Sequence, residues 1–155
     1  MTLPNAESGM KPSSLLLLAL FSLIICNAYA ADKLAVSDAW VRATAPGQQV
    51  GAAYMTLKSN ADITLTKVQS DITGSVEIHE MAMKNGVMKM RMKDSLPLPA
   101  GKPFKLEPGG FHLMLFDLKK PLKPGEQVAF TLEFEDRNGK IETQKISAPI
   151  KAGSD

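Results

Sequence analysis

The chain has 155 residues, 18 Lys and Arg against 16 Asp and Glu, and a single cysteine, Cys26. The length suits one domain, and the charges are scattered and mixed. With no basic stripe and no cationic amphipathic stretch, the composition argues against nucleic acid and a membrane surface as partners.

The first element is an export signal. Lys11 supplies a positive charge, Leu15 to Ile25 form an apolar run, and Ala28-Tyr29-Ala30 carries small residues at both recognition positions. Residues 1–30 therefore read as a signal peptide cleaved after Ala30, with Met10 as an alternative start. The apolar run is too short for a transmembrane helix. Cys26 follows Ile25, where a lipid-attachment motif requires a small residue, so soluble export without a stable membrane anchor is expected. The mature chain, residues 31–155, then has no thiol and no disulfide. It must fold on its core alone, which about 125 residues can do.

The mature chain reads as one all-β domain. Runs rich in β-branched and aromatic residues recur with turn residues between them. Nine strands are expected, near residues 34–41, 52–59, 64–70, 75–83, 87–92, 104–106, 111–118, 127–134 and 140–147. The connectors include Ala45-Pro46-Gly47, Pro99-Ala100-Gly101, Pro108-Gly109-Gly110 and Pro124-Gly125. Asn85-Gly86 and Asn138-Gly139 suit two-residue hairpin turns, which need positive φ. About nine short strands in one domain imply a β-sandwich or Greek-key barrel.

Six of the seven mature methionines lie between Met81 and Met114, and both histidines, His79 and His112, lie in or beside that span. If Asn85-Gly86 is a two-residue turn, Lys84 faces Val87, Met83 faces Met88, Met81 faces Met90 and His79 faces Met92. Paired residues share a face and successive residues alternate. Every His and Met of the hairpin then falls on one face, with Glu80, Lys84, Lys89 and Arg91 on the other. A one-residue slip would destroy this segregation. In Phe111-His112-Leu113-Met114-Leu115, His112 and Met114 point the same way, about 6.5–7 Å apart, and the apolar residues point toward the core. If this strand lies beside the hairpin, imidazole and thioether groups converge.

Such a set selects its metal by softness. Neutral thioethers favour Cu(I) over Zn(II) and harder ions, and imidazole suits copper in either state. The competing reading is that methionines fill a core or form an apolar docking surface. That reading suits each residue alone better than it suits the joint clustering of both histidines with the methionines. Met83, Met88 and Met92 need not all be ligands; some are expected to form an apolar collar that keeps water from the ion or meets a partner.

The spacing of His79, ten residues, Met90, twenty-one residues, His112, one residue, Met114 resembles the H-x10-M-x21-H-x-M signature of the periplasmic copper(I) chaperone family, the PCuAC-type proteins. The wording of Val76 to Met81, Pro108 to Met114 and Ala39 to Arg42 is similar to that family too, and the similarity spans nearly the whole mature chain. The resemblance implies a periplasmic, cupredoxin-like β-barrel holding one Cu(I) at an exposed rim. It implies His79, Met90, His112 and Met114 as ligands, with Met81 as an auxiliary. It also implies delivery of copper to the binuclear copper centre of cytochrome c oxidase, alongside Sco-type thiol proteins. A monomer is expected. Relatives with a His- and Met-rich tail bind further copper, but this chain ends Ile150-Lys151-Ala152-Gly153-Ser154-Asp155.

Other functions fit poorly. A blue-copper electron carrier needs a Cys thiolate, which the mature chain lacks. A copper oxygenase with an N-terminal histidine does not fit a mature start at Ala31-Asp32. No serine or cysteine constellation suggests a hydrolase, so no enzyme activity is expected. Copper buffering without a dedicated recipient, and a metal-free β-sandwich interaction module, are the remaining alternatives.

Overall fold

Alternating apolar and polar residues between turn signals produce strands throughout. The computed structural model describes residues 33–153; the signal segment, its cleavage site and Cys26 lie outside the described residues. Ten strands form: β1 (Leu34–Arg42), β2 (Gly51–Ser59), β3 (Ile63–Gln69), β4 (Ser75–Lys84), β5 (Val87–Lys93), β6 (Leu96–Leu98), β7 (Pro103–Leu106), β8 (Phe111–Phe116), β9 (Gln127–Asp136) and β10 (Ile141–Lys151). Among the described residues, no helix is long and apolar enough to cross a membrane.

The strand order is β5-β4-β8-β2-β1-β10-β9-β3-β6, with β7 also paired to β2. The pairings that define the order are antiparallel except at one seam. There β1 and β10 run parallel, with Val41 opposite Ile150 and Arg42 opposite Lys151. On either side of the seam the sheet folds over one core. Leu34, Val41, Leu57, Leu113 and Leu115 from one half belong to the same buried cluster as Leu65, Leu98, Phe130 and Leu132 from the other. β3 and β4, far apart in the strand order, pack against each other. The result is a β-sandwich with alternate residues inward, as period-2 alternation requires.

Three details differ from expectation. β6 is an additional strand whose Leu96 and Leu98 are buried around Pro97. It is short and lies at the end of the strand order, where a proline is tolerated. β10 runs on past Ser147 through Pro149 to Lys151, because its end is held between β9 and β1. β8 stops at Phe116 because Asp117 takes a positive φ of 53°. Gly74 packs directly against that corner. A Cβ there would lie 2.9 Å from Asp117 Cβ, while Gly74 N–H donates to the Phe116 carbonyl at 2.9 Å.

Candidate metal centre

The β4–β5 hairpin closes through Asn85 and Gly86, with φ of 53° and 75°. These are the positive values that a type I′ turn requires. The resulting register is the expected one: Lys84 opposite Val87, Met83 opposite Met88, Met81 opposite Met90 and His79 opposite Met92. Lys84 and Val87 flank the two-residue turn as a hydrogen-bonded pair, so the alternation makes the His and Met rungs non-hydrogen-bonded pairs. In such pairs the side chains approach most closely. The backbone agrees: Met81 N–H turns away from β5 and donates to the Gly110 carbonyl at 3.1 Å.

β8 lies against the other side of β4. His112 is directly opposite His79, and Met114 is opposite Glu77. Ile78, Leu113 and Leu115 point into the core, so the alternating residues His79, His112 and Met114 occupy the outer face. Beyond β8 the same face continues through Ala52, opposite Met114, to Tyr54 and Trp40, whose rings are centred 4.5 Å apart. Burial pushes the Tyr54 phenol pKa up, against the lowering effect of the Arg42 charge. Arg42 sits 5.6 Å from the Tyr54 ring centre.

The two imidazoles are each anchored by an oxygen. His112 Nδ1 lies 3.0 Å from the Gly110 carbonyl. A carbonyl only accepts, so Nδ1–H donates and Nε2 keeps its lone pair. His79 Nε2 lies 2.8 Å from Glu77 Oε2. With Nε2–H donating to that carboxylate, the lone pair sits on Nδ1, which is buried and has no hydrogen-bond partner. A buried nitrogen without a partner is costly unless something else satisfies it. The ring centres are 6.0 Å apart. An ion about 2.0–2.1 Å from a ring nitrogen stands roughly 3 Å from that ring's centre, so two rings at this separation can share one ion. Metal-binding histidines ordinarily donate their other N–H to a carboxylate or backbone carbonyl, and both partners are present here.

The methionines surround this pair unequally. Met90 lies one rung toward the hairpin tip, opposite Met81, and Met114 lies one rung the other way. Met81 and Met114 are partly buried, whereas Met83, Met88, Met90 and Met92 are 64%, 46%, 48% and 56% exposed. His112, by contrast, is only 5% exposed, so the centre is buried at its histidine floor and open at its methionine edge. Among the described residues no group of three or more His, Cys, Asp and Glu is arranged to hold a metal. The donors nearest the histidine pair on this face include the thioethers of Met81, Met90, Met92 and Met114 and the Glu77 carboxylate. A cleft lined by Arg42, Gln48, Ala52 and Met114 opens the other side of this face. A larger one, lined by Asp62, Thr64, Pro97 and Arg137, contains no His or Met.

Glu77 is the residue of the candidate site that the sequence reading missed. Its signal was available: two residues before His79 on a strand, it had to share that residue's face. Glu80 does face away, and pairs with Lys93 at 2.9 Å.

A β-sandwich whose outer face sets two oxygen-anchored imidazoles among thioethers defines a candidate soft-metal-binding domain. Residues 34–150 match the family described as putative lipoprotein LpqE-like, and the chain belongs to that family. It is 36% identical over 124 residues to a putative lipoprotein of Leifsonia xyli subsp. xyli (strain CTCB07), covering 78% of this chain and 71% of that protein. Among solved structures it is similar to CuI-DR1885 from Deinococcus radiodurans, with 32% identity, a TM-score of 0.61, and coverage of 82% of this chain and 83% of that one. It is also similar to the copper-bound PCuAC domain from PmoF2, with 27% identity, a TM-score of 0.63, and coverage of 81% and 97%. The architecture is thus the cupredoxin-like one that the resemblance implied.

Proposed function

We propose that the chain binds one Cu(I) ion through His79, His112, Met114 and Met90, with Met81 as an auxiliary thioether, and passes the ion to a recipient protein. The observation that carries this reading is the cross-strand histidine pair: each ring has one N–H anchored by oxygen and one lone-pair nitrogen available, on a face otherwise rich in thioethers. Two imidazoles and two thioethers add no negative charge, which suits a monovalent soft ion better than a divalent one. The similarity to CuI-DR1885 and to the copper-bound PmoF2 domain supports the same choice of metal. The exposed methionine edge supports transfer over storage. A recipient's ligands can reach the ion from that side before its histidine ligands release it.

The role is binding and carriage, not catalysis. The protein works outside the cytoplasm, in the periplasm, after removal of the signal segment. The relatives' description as putative lipoproteins supports export. The recipient is the binuclear copper centre of cytochrome c oxidase or a Sco-type thiol protein serving it.

Titration with Cu(I) against a competing chelator tests the binding reading. One tight equivalent is expected, strongly weakened in His112→Ala and Met114→Ala with the fold retained. An unchanged affinity in both variants would refute the site. Deletion of the gene tests delivery. Loss of oxidase activity in copper-poor medium is expected, and a change confined to tolerance of excess copper would favour buffering.

A further inference from the structure

Two hairpin methionines, Met83 and Met88, lie beyond the rungs that carry His79 and the proposed ligands Met81 and Met90. They are not core fillers, being about half or more exposed. Strand propensity does not explain them either, because β-branched and aromatic residues fit a pleated surface better. The tip is instead a place where sulfur is concentrated. Met83 and Met88 are directly opposite in a non-hydrogen-bonded rung, where Cα atoms lie about 4.5 Å apart. Met81 is the next residue on the same face of β4, about 6.6 Å along the strand. Unbranched side chains with three rotatable bonds can bring three such sulfurs onto one ion.

We propose that the paired thioethers of Met83 and Met88 form a second and weaker Cu(I) site at the hairpin tip, acting as an acquisition or exit station for the histidine centre, with Met81 standing between the two and closing the tip site only when it is not on the first ion. This inference rests on the reading of His79 and His112 as the primary Cu(I) centre. Thioethers alone bind Cu(I) without anchored imidazoles, so the tip site is the weaker and more labile of the two. Two same-face steps along β4 connect Met83 through Met81 to His79, each about 6.6 Å. Cu(I) moves between them by ligand exchange: one thioether leaves as the next donor binds, no electron is transferred and the ion keeps its charge.

The test is an anaerobic Cu(I) titration of the whole exported protein, with Ag(I) as a redox-inert probe and NMR of 13C-labelled methionine methyl groups. Wild type should take up a second equivalent after the first, and the Met83 and Met88 methyl signals should move only in that second phase. Met83→Leu with Met88→Leu preserves apolar volume at exposed positions, and it should abolish the second equivalent while leaving the first unchanged. In His112→Ala the tip site should survive with the first equivalent lost. Saturation of the wild type at one equivalent would overturn the tip site and leave the methionines as an apolar face. Retention of the second equivalent in the double variant would overturn it too. A first equivalent that ignores His112→Ala would count against the histidine centre, a result readable apart from the fate of the second equivalent.

Discussion

Removing Glu77 probes the proposed Cu(I) centre without touching a proposed ligand. Its carboxylate accepts from His79 Nε2 at 2.8 Å, and that contact decides which ring nitrogen presents a lone pair to the site. In Glu77→Ala the ring can rotate and exchange tautomers, so part of the binding energy is spent on re-ordering it. Partners of this kind are worth 10–100-fold in metal affinity, or about 1.4–2.8 kcal/mol. Glu77→Gln offers an acceptor oxygen of the same reach and should recover most of the loss. The assay is competition for Cu(I) with a chromophoric chelator at fixed pH, read alongside a urea unfolding curve of the apo protein. Glu77 is partly exposed, but its removal takes the hydrogen-bond partner from a largely buried ring, so the apo protein should lose about 1 kcal/mol of unfolding free energy. Unchanged Cu(I) affinity in Glu77→Ala would refute the anchoring argument. Equal loss in Glu77→Gln and Glu77→Ala would show that the charge, and not the hydrogen bond, is what matters.

Other consequences concern the scaffold. Leu113 is fully buried between two outward-facing residues of the centre, His112 and Met114. Leu113→Ala should destabilise the apo fold by about 2–5 kcal/mol in urea unfolding, while Met90→Ala, at an exposed position, should cost about 0.5 kcal/mol or less. Gly74→Ala should destabilise by about 1–3 kcal/mol, because the new Cβ meets Asp117 at 2.9 Å; a neutral result would mean that the corner yields easily. Asp136 accepts from the backbone N–H groups of Asn138 and Lys140, and these, with Lys33, hold its carboxyl pKa below the ordinary value. A depressed carboxyl pKa stabilises the fold above the unfolded value of about 3.9 and loses that contribution as pH falls through the folded value. Asp136→Asn should therefore flatten the acid limb of stability below about pH 4; an acid limb identical to wild type would refute it.

Much of this arrangement was readable before any coordinates. Asn85-Gly86 fixes a turn, the turn fixes a register, and the register sorts His79 and the five hairpin methionines from the charged residues, all within a stretch of local sequence. The inward turn of Leu113 and Leu115 followed from alternation in the same way. What escaped was non-local or broke a local rule. Nothing in residues 34–42 announces a parallel seam with residues 150 and 151, since two strands more than a hundred residues apart pair only through the completed sandwich. β6 hid behind Pro97. The direct opposition of His79 and His112 required knowing that β8 pairs antiparallel to β4. Only that pairing puts His112, 5% exposed, beneath the exposed methionines of the hairpin. The anchoring of His79 by Glu77 could have been suspected from their spacing, but only the packed face shows the carboxylate turned toward the ring.

The most direct test of the central claim is X-ray absorption of the protein loaded with one equivalent of Cu(I). A Cu(I) edge is expected, with a first shell of mixed imidazole nitrogen and thioether sulfur. Sulfur scattering should fall in Met114→Ala, and imidazole scattering should fall in His112→Ala. A first shell of nitrogen and oxygen alone, in wild type, would contradict it.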